Sequence, residues 1–142
     1  MDRIGIDFPI AVIGAGPVGL AAAAHLAERN LPFVVFEAGD QPAAAMRQWS
    51  HVTFFSPWRY NVDQAAARLL EATGWKRPDN NRDPVASELI DTYLEPLAAL
   101  PELAPHIRYG TKVVADTRKG MDRVPSKGRS DRPFEVTSLH AD

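Results

Sequence analysis

The sequence predicts an α/β fold founded on a strand, helix, strand unit, and three observations carry that prediction. An apolar, partly β-branched run from Ile10 to Ile13 ends directly at glycine. An alanine- and leucine-rich segment follows from Pro17 to about Arg29. A second apolar run, Phe33 to Phe36, comes after Asn30 and Pro32 and stops before Gly39. Short apolar runs bounded by turn residues, one on each side of a helical segment, read as parallel strands, the first of them buried on both faces. The connection between two such strands is a right-handed crossover.

Each element has its local reason. Pro17 is tolerated at the start of the first helix because its missing N–H costs nothing in the first turn, and the alanines and leucines behind it are strong helix formers. Asn30 is a left-handed stop. From Gln41 to Tyr60 the chain loses periodicity and carries Trp49, His51, Phe54, Phe55, Trp58 and Tyr60, which reads as a long insertion. Asn61, with Gln64 three residues on, predicts a capped helix over 62–73 that ends at Gly74. Asp83 and Pro84 read as cap and first position of another helix, with Leu89, Ile90, Tyr93, Leu94 and Leu97 at helical spacing and a kink at Pro96. Residues 107–116 and 134–139 read as strands, separated by a polar, glycine-containing excursion over 117–132.

A chain of 142 residues, 45% hydrophobic and 24% charged, fits one domain spanning residues 1–142 with enough apolar material for a core. The net charge of -2 gives no electrostatic footprint for nucleic acid or an acidic membrane. The basic run at 118–129 is interrupted or bordered by Asp116, Asp122 and Asp131 and reads as a solvated loop. The apolar stretch 8–26 contains Gly14, Gly16, Pro17, Gly19 and His25, and follows acidic Asp2 and Asp7, so it reads neither as a signal peptide nor as a membrane span. The expected location is cytoplasmic. No cysteine is present, which removes disulfides, thiolate metal sites and cysteine nucleophiles. The four histidines have no metal spacing, so the sequence predicts no metal site and assigns no catalytic base.

The turn between first strand and first helix holds the strongest functional signal. Gly14 permits the sharp exit from the strand, Gly16 lets the backbone approach a pyrophosphate, and Gly19 lets the helix pack closely on the sheet. Pro17 and Val18 complete the first turn, whose free N–H groups and dipole favour phosphate. Glu37 closes the second strand 18 residues beyond Gly19, where a carboxylate accepts hydrogen bonds from a ribose diol. Ala38 and Gly39 follow it rather than arginine, which disfavours a 2'-phosphate and leaves FAD or NAD. The alternative is a merely structural tight turn.

The run AVIGAGPVGLAAAAHLAERNLPFVVFEAG resembles the N-terminal FAD-binding segment of flavoproteins with two dinucleotide-binding domains, especially flavin-containing monooxygenases and their pyridine nucleotide-dependent relatives. The likeness continues more loosely through ELIDTYLEPLAALPELAPHIRYGTKVVADTRKG. It implies a Rossmann-like FAD-binding domain with a parallel sheet, a helical insertion and a small antiparallel β element, cut short before the strand that returns to the sheet. It also implies FAD as cofactor, with NADPH or NADH bound only by a full-length protein carrying a nicotinamide domain. Arg47, Gln48 and Trp49 occupy the segment that lines the isoalloxazine in that family, and Val113 the position whose backbone meets the adenine. The expected cofactor-binding set is Gly14, Gly16, Pro17, Val18, Gly19, Glu37, Ala38, Gln48, Trp49 and Val113. The aromatics at 49, 54, 55 and 58 read equally well as loop residues packed on the core. The resemblance implies the FAD-binding portion of an NAD(P)H-dependent oxidoreductase, monooxygenase-like; the alternative is a non-catalytic nucleotide-binding or sensing module. The uncovered sheet edge is an expected site of self-association.

Overall fold

The computed structural model describes residues 8–141, so Asp2 and Asp7 lie outside the described residues. β1 (Ile10–Ile13) and β2 (Phe33–Phe36) pair in parallel, from Ile10 opposite Phe33 to Ile13 opposite Phe36. α1 (Pro17–Glu28) joins them, and the chain turns back at Asn30 with a left-handed φ of 53°. β3 (Ile107–Arg108) adds to β2 in parallel, giving the sheet order β1-β2-β3. The predicted unit is therefore present at the predicted positions.

One expectation about β1 is corrected. Ile10 and Val12 pack on the core, but Ala11 and Ile13 are exposed, so the strand is covered on one face and not on both. The reason is layering: α1 and the helices of the insertion all contribute to a single core, and among the described residues no helix lies over Ala11 and Ile13. β1 also has only one partner strand among the described residues.

The insertion is largely helical, with α2 (Ala44–Arg47), α3 (Trp58–Asn61), α4 (Gln64–Glu71), α5 (Ala86–Leu89), a π-helical turn (Ile90–Leu94) and α6 (Glu95–Ala98). α4 begins later than expected and its cap is Asp63, not Asn61: the Asp63 Oδ1 accepts the N–H groups of Ala65 and Ala66 at 2.9 and 3.1 Å. Asn61 instead donates its amide to the carbonyls of Ser56 and Pro57. Both residue types cap well, and tertiary packing decides between them. Likewise Asp83 does not cap α5; Glu88 accepts the N–H of Val85 from inside the first turn. Residues 50–54 run beside that turn, with Phe54 N–H bonded to Pro84 and Ala86 N–H to Val52. Gly74 ends the α4 segment with a φ of 91°, as predicted.

The irregularity expected at Pro96 takes the form of the π-helical turn just before it. Proline has no N–H to donate to the carbonyl four residues back, Thr92. That carbonyl is taken by the indole N–H of Trp75 at 2.7 Å. Leu89, Ile90, Tyr93, Leu94 and Leu97 are all buried, so the helical spacing correctly marked the core face. α1 and α4 meet through fully buried alanines, Ala23 and Ala24 against Ala65, Ala66 and Ala67, whose small side chains permit close approach.

The run predicted as one strand over 107–116 is two. After Arg108 the chain turns at Gly110, with a φ of 60°, and β4 (Thr111–Arg118) leaves the parallel sheet to pair antiparallel with β5 (Phe134–His140). The turn is fixed by β2, because Thr111 N–H donates to the Glu37 carbonyl and Gly110 N–H to that of Gly39. Between the free edge of β1 and this hairpin lies an open groove of about 940 Å³, lined by Phe8, Ile10, Ile13, Arg118, Phe134 and Val136 among others.

Candidate functional site

The three glycines of the turn serve three separable physical needs. Gly14 has a φ of 98°, which a side chain rarely adopts. Gly19 has ordinary geometry, but a Cβ there would run into the carbonyl oxygen of Gly14, so close packing of helix on turn excludes one. Gly16 has neither constraint: its φ is -86°, and a Cβ would meet no protein atom within 4 Å. Gly16 is also the N-cap of α1, with no side chain to cap it. The N–H groups of Gly16, Val18 and Gly19 consequently have no acceptor among the described residues, and they gather at the positive end of a twelve-residue helix. Val18 stands on this turn 83% exposed.

Glu37 closes β2 beside the turn and is only 9% exposed. Its carboxylate has a task the sequence did not disclose. Oε2 accepts the N–H of Ala15 at 2.8 Å and Oε1 accepts that of Gly39 at 2.8 Å. The acid thereby fixes the glycine turn to the end of β2, and each oxygen keeps further acceptor capacity for hydroxyl groups. Ala38, next to it, is exposed. Val113 is half-buried on β4, two residues beyond the Thr111 that is bonded to the Glu37 backbone.

α2 is docked to the turn by the Ala43 N–H, bonded to the Ala15 carbonyl at 2.9 Å, with Ala43 itself in the left-handed region. This brings Gln48 and Trp49 to the exposed end of α2, one short helix away from the glycines. Trp49 is 39% exposed and packs tilted on Phe54, with ring centres 5.9 Å apart. Arg47, expected in the same wall, is engaged elsewhere in an ion pair with Glu95 at 2.6 Å. Of the remaining insertion aromatics, Trp58 is in the core and Phe55 is almost fully exposed, so neither reading of that group holds for all of them.

A pocket of about 490 Å³ opens from the first turn of α1, with Pro17, Val18 and Ala21 on one side and Phe54, Tyr60 and Asp63 on the other. Tyr93 and Leu89 also contribute to its lining. Sequence reasoning missed this pocket, since its walls come from segments far apart in the chain. Asp63 is its polar anchor. Burial raises the Asp63 pKa, but the Ala66 N–H, His25 and the Ala65 N–H together outweigh that and hold it below the ordinary value. His25 Nε2 lies 3.0 Å from Asp63 Oδ2, and Arg29 donates to His25 Nδ1 at 3.1 Å, which fits the tautomer protonated at Nε2. His25, read from the sequence only as no metal ligand, thus pins α1 to the start of α4. Among the described residues no cluster of three or more His, Asp or Glu side chains could hold a metal ion. No helix among them is long and apolar enough to cross a membrane.

Residues 12–77 match the family described as NAD(P)-binding Rossmann-like domain. No curated protein matches the sequence. Among solved structures, the chain is similar to an oxidised steroid monooxygenase bound to NADP, with a TM-score of 0.66 and 20% identity over 92% of this chain and 23% of that one. It is similar to cyclohexanone monooxygenase with bound ε-caprolactone, at a TM-score of 0.64 and 22% identity over 94% of this chain and 24% of that one. It is also similar to OTEMO in complex with FAD and NADP, at a TM-score of 0.63 and 21% identity over 91% of this chain and 22% of that one. The chain spans less than a quarter of the length of these proteins. The described residues form a Rossmann-like α/β domain with a helical insertion and a small antiparallel sheet.

Proposed function

We propose that the chain is the FAD-binding portion of an NAD(P)H-dependent flavoprotein oxidoreductase of monooxygenase type. Gly16 carries the reading. Its backbone geometry suits any residue and the protein leaves room for a Cβ, so a tight turn alone gives no reason for glycine there. A ligand brought against the turn supplies that reason. The free N–H groups of Gly16, Val18 and Gly19 receive a pyrophosphate, and Glu37, held rigid by Ala15 and Gly39, offers its remaining lone pairs to a ribose diol. Ala38 and Val113 are placed beside the adenosine half on this reading, with Gln48 and Trp49 toward the flavin half. FAD, when bound, supplies the hydride-accepting chemistry, and the chain supplies position and electrostatics. The monooxygenase neighbours, described with FAD and NADP, support the choice of cofactor.

One glycine fingerprint serves one dinucleotide, so NADPH or NADH is assigned to sequence outside this site. A cytoplasmic location fits the folding of the apolar stretch 8–26 into β1, the glycine turn and α1 of the domain. The exposed edge of β1 is a surface for self-association. The test is titration with FAD, followed by the visible spectrum of bound flavin. Wild type is expected to saturate, and Gly16→Val to remain folded by circular dichroism while losing FAD through a clash with the pyrophosphate. A folded Gly16→Val protein with normal FAD affinity would sink the assignment. Tight NAD binding with no flavin would favour the sensing module instead.

A further inference from the structure

We propose that Arg47 is a positioning residue for the phosphate site: through the Pro42–Ala43 peptide group and the Ala15 carbonyl it aims the free N–H of Gly16 at the bound anion. The inference rests on the reading that the glycine turn holds a dinucleotide phosphate. Its starting point is Ala43, which has a left-handed φ of 56° although it is not glycine and is only 2% exposed. Such a conformation is strained for a residue with a side chain, and it persists only where the surroundings hold it. Two bonds hold the peptide group that precedes it, one on each side. The Ala43 N–H donates to the Ala15 carbonyl at 2.9 Å, and the Pro42 carbonyl accepts a longer bond from Arg47 Nε at 3.4 Å. The same guanidinium donates from Nη2 to Glu95 Oε1 on α6 at 2.6 Å.

A trans peptide group is planar, and its C=O and N–H point in opposite directions. Whatever fixes the Ala15 carbonyl therefore fixes the N–H of Gly16, which belongs to the same peptide group and has no acceptor among the described residues. The chain of bonds runs from Glu95 through Arg47 to the Pro42 carbonyl, across that peptide group to the Ala43 N–H, and across the next to the N–H of Gly16. Each bond polarises the following one in the same sense, so the guanidinium at one end strengthens the Gly16 N–H as a donor at the other. Glu37 holds the other side of the same residue by accepting the Ala15 N–H at 2.8 Å. With both of its backbone groups held, Ala15 presents the next N–H already oriented, and the ligand bears less of the ordering cost. Arginine suits the task because its planar fork donates in two directions at once.

The experiment follows the backbone amides of the ligand-free 142-residue chain by two-dimensional NMR and titrates the chain with ADP by calorimetry. Arg47→Met keeps the aliphatic length of the side chain and removes its donors. It is expected to shift the Gly16 amide proton upfield and to weaken ADP about two- to tenfold, the loss of one supporting hydrogen bond. Glu95→Met supplies the sign that separates this from charge alone. Removing a carboxylate tightens an anion where only charge acts, whereas freeing Arg47 from its anchor is expected to weaken ADP about twofold. Arg68→Met, which removes the ion pair between α4 and Glu28 at the far end of α1, is expected to change neither readout. An unmoved Gly16 resonance in Arg47→Met, ADP affinity unchanged in that variant, or tighter ADP in Glu95→Met overturns the proposal. If Arg47→Met does not fold, Glu95→Met reads the same amide from the more exposed end of the pair. A wild type that binds no ADP overturns the dinucleotide reading instead, and the Gly16 resonance then decides alone whether Arg47 orients that N–H.

Discussion

Replacing Glu37 by glutamine tests the double task of the acid at the end of β2. Glutamine has nearly the same shape but only one carbonyl oxygen, so it can accept from Ala15 or from Gly39 and must turn its own amide N–H toward the other. At 9% exposure little water is available to repair the mismatch. Losing one charge-assisted hydrogen bond costs about 1.5 to 3 kcal/mol. For a chain of this length each kcal/mol lowers Tm by about 3 °C, so the ligand-free variant should melt roughly 5–10 °C below wild type. Thermal unfolding followed by far-ultraviolet circular dichroism reads this directly, and it must be done without ligand, which itself raises Tm. Glu37→Arg accepts from neither N–H group and should melt lower still. Its loss of FAD would therefore report the turn as much as the ribose. A Glu37→Gln protein melting within about 1 °C of wild type would show that the bonds to Ala15 and Gly39 contribute nothing, and the reasoning would fail.

Two further outcomes follow from the same geometry. Gly19→Ala should destabilise by about 1–3 kcal/mol in urea unfolding, because the forced retreat of the Gly14 carbonyl outweighs the gain in helix propensity; a more stable variant would contradict the packing argument. The folded-state pKa of Tyr93, raised from 10 to about 12 by burial, makes its contribution complete below pH 10 and lost as pH rises toward 12. That amounts to roughly 2–3 kcal/mol. Tyr93→Phe should show a correspondingly smaller fall in stability over that interval than wild type, and parallel pH profiles for the two would refute the assignment.

The sheet and its crossover were legible because they depend on local pattern. Ile10–Ile13, Pro17–Glu28 and Phe33–Phe36 announce themselves by apolar runs, helix formers and turn residues, and Asn30 and Gly74 by backbone geometry few residues tolerate. What was misjudged depends on choices between equals. Asn61 and Asp63 are both good caps, and tertiary contacts distinguish them: His25 and Tyr93 engage Asp63, while Asn61 is held by the carbonyls of Ser56 and Pro57. The break of one predicted strand into β3 and β4 turns on backbone bonds from Gly110 and Thr111 to residues 39 and 37, far back in the chain. No periodicity records such a bond.

The site divides along the same line, and the division has a physical origin. A phosphate-binding turn is made from consecutive residues, so its demands are written in consecutive letters: Gly14 for a positive φ, Gly16 for approach of a ligand, Gly19 for contact between helix and turn. One residue type answers three different constraints, and only the structure tells them apart. The pocket at Tyr93 is made by packing. Pro17 and Ala21 reach it from α1, Phe54 and Tyr60 from the insertion, and Tyr93 from the π-helical turn that precedes Pro96. These meet because small alanines let α4 close on α1 and because Trp75 satisfies the carbonyl that Pro96 leaves open. A substitution at Trp75, far from the glycines of the turn and outside the pocket lining, should therefore disturb this pocket before it disturbs the phosphate turn. The two halves of the site rest on different parts of the fold, so one can be perturbed while the other is kept.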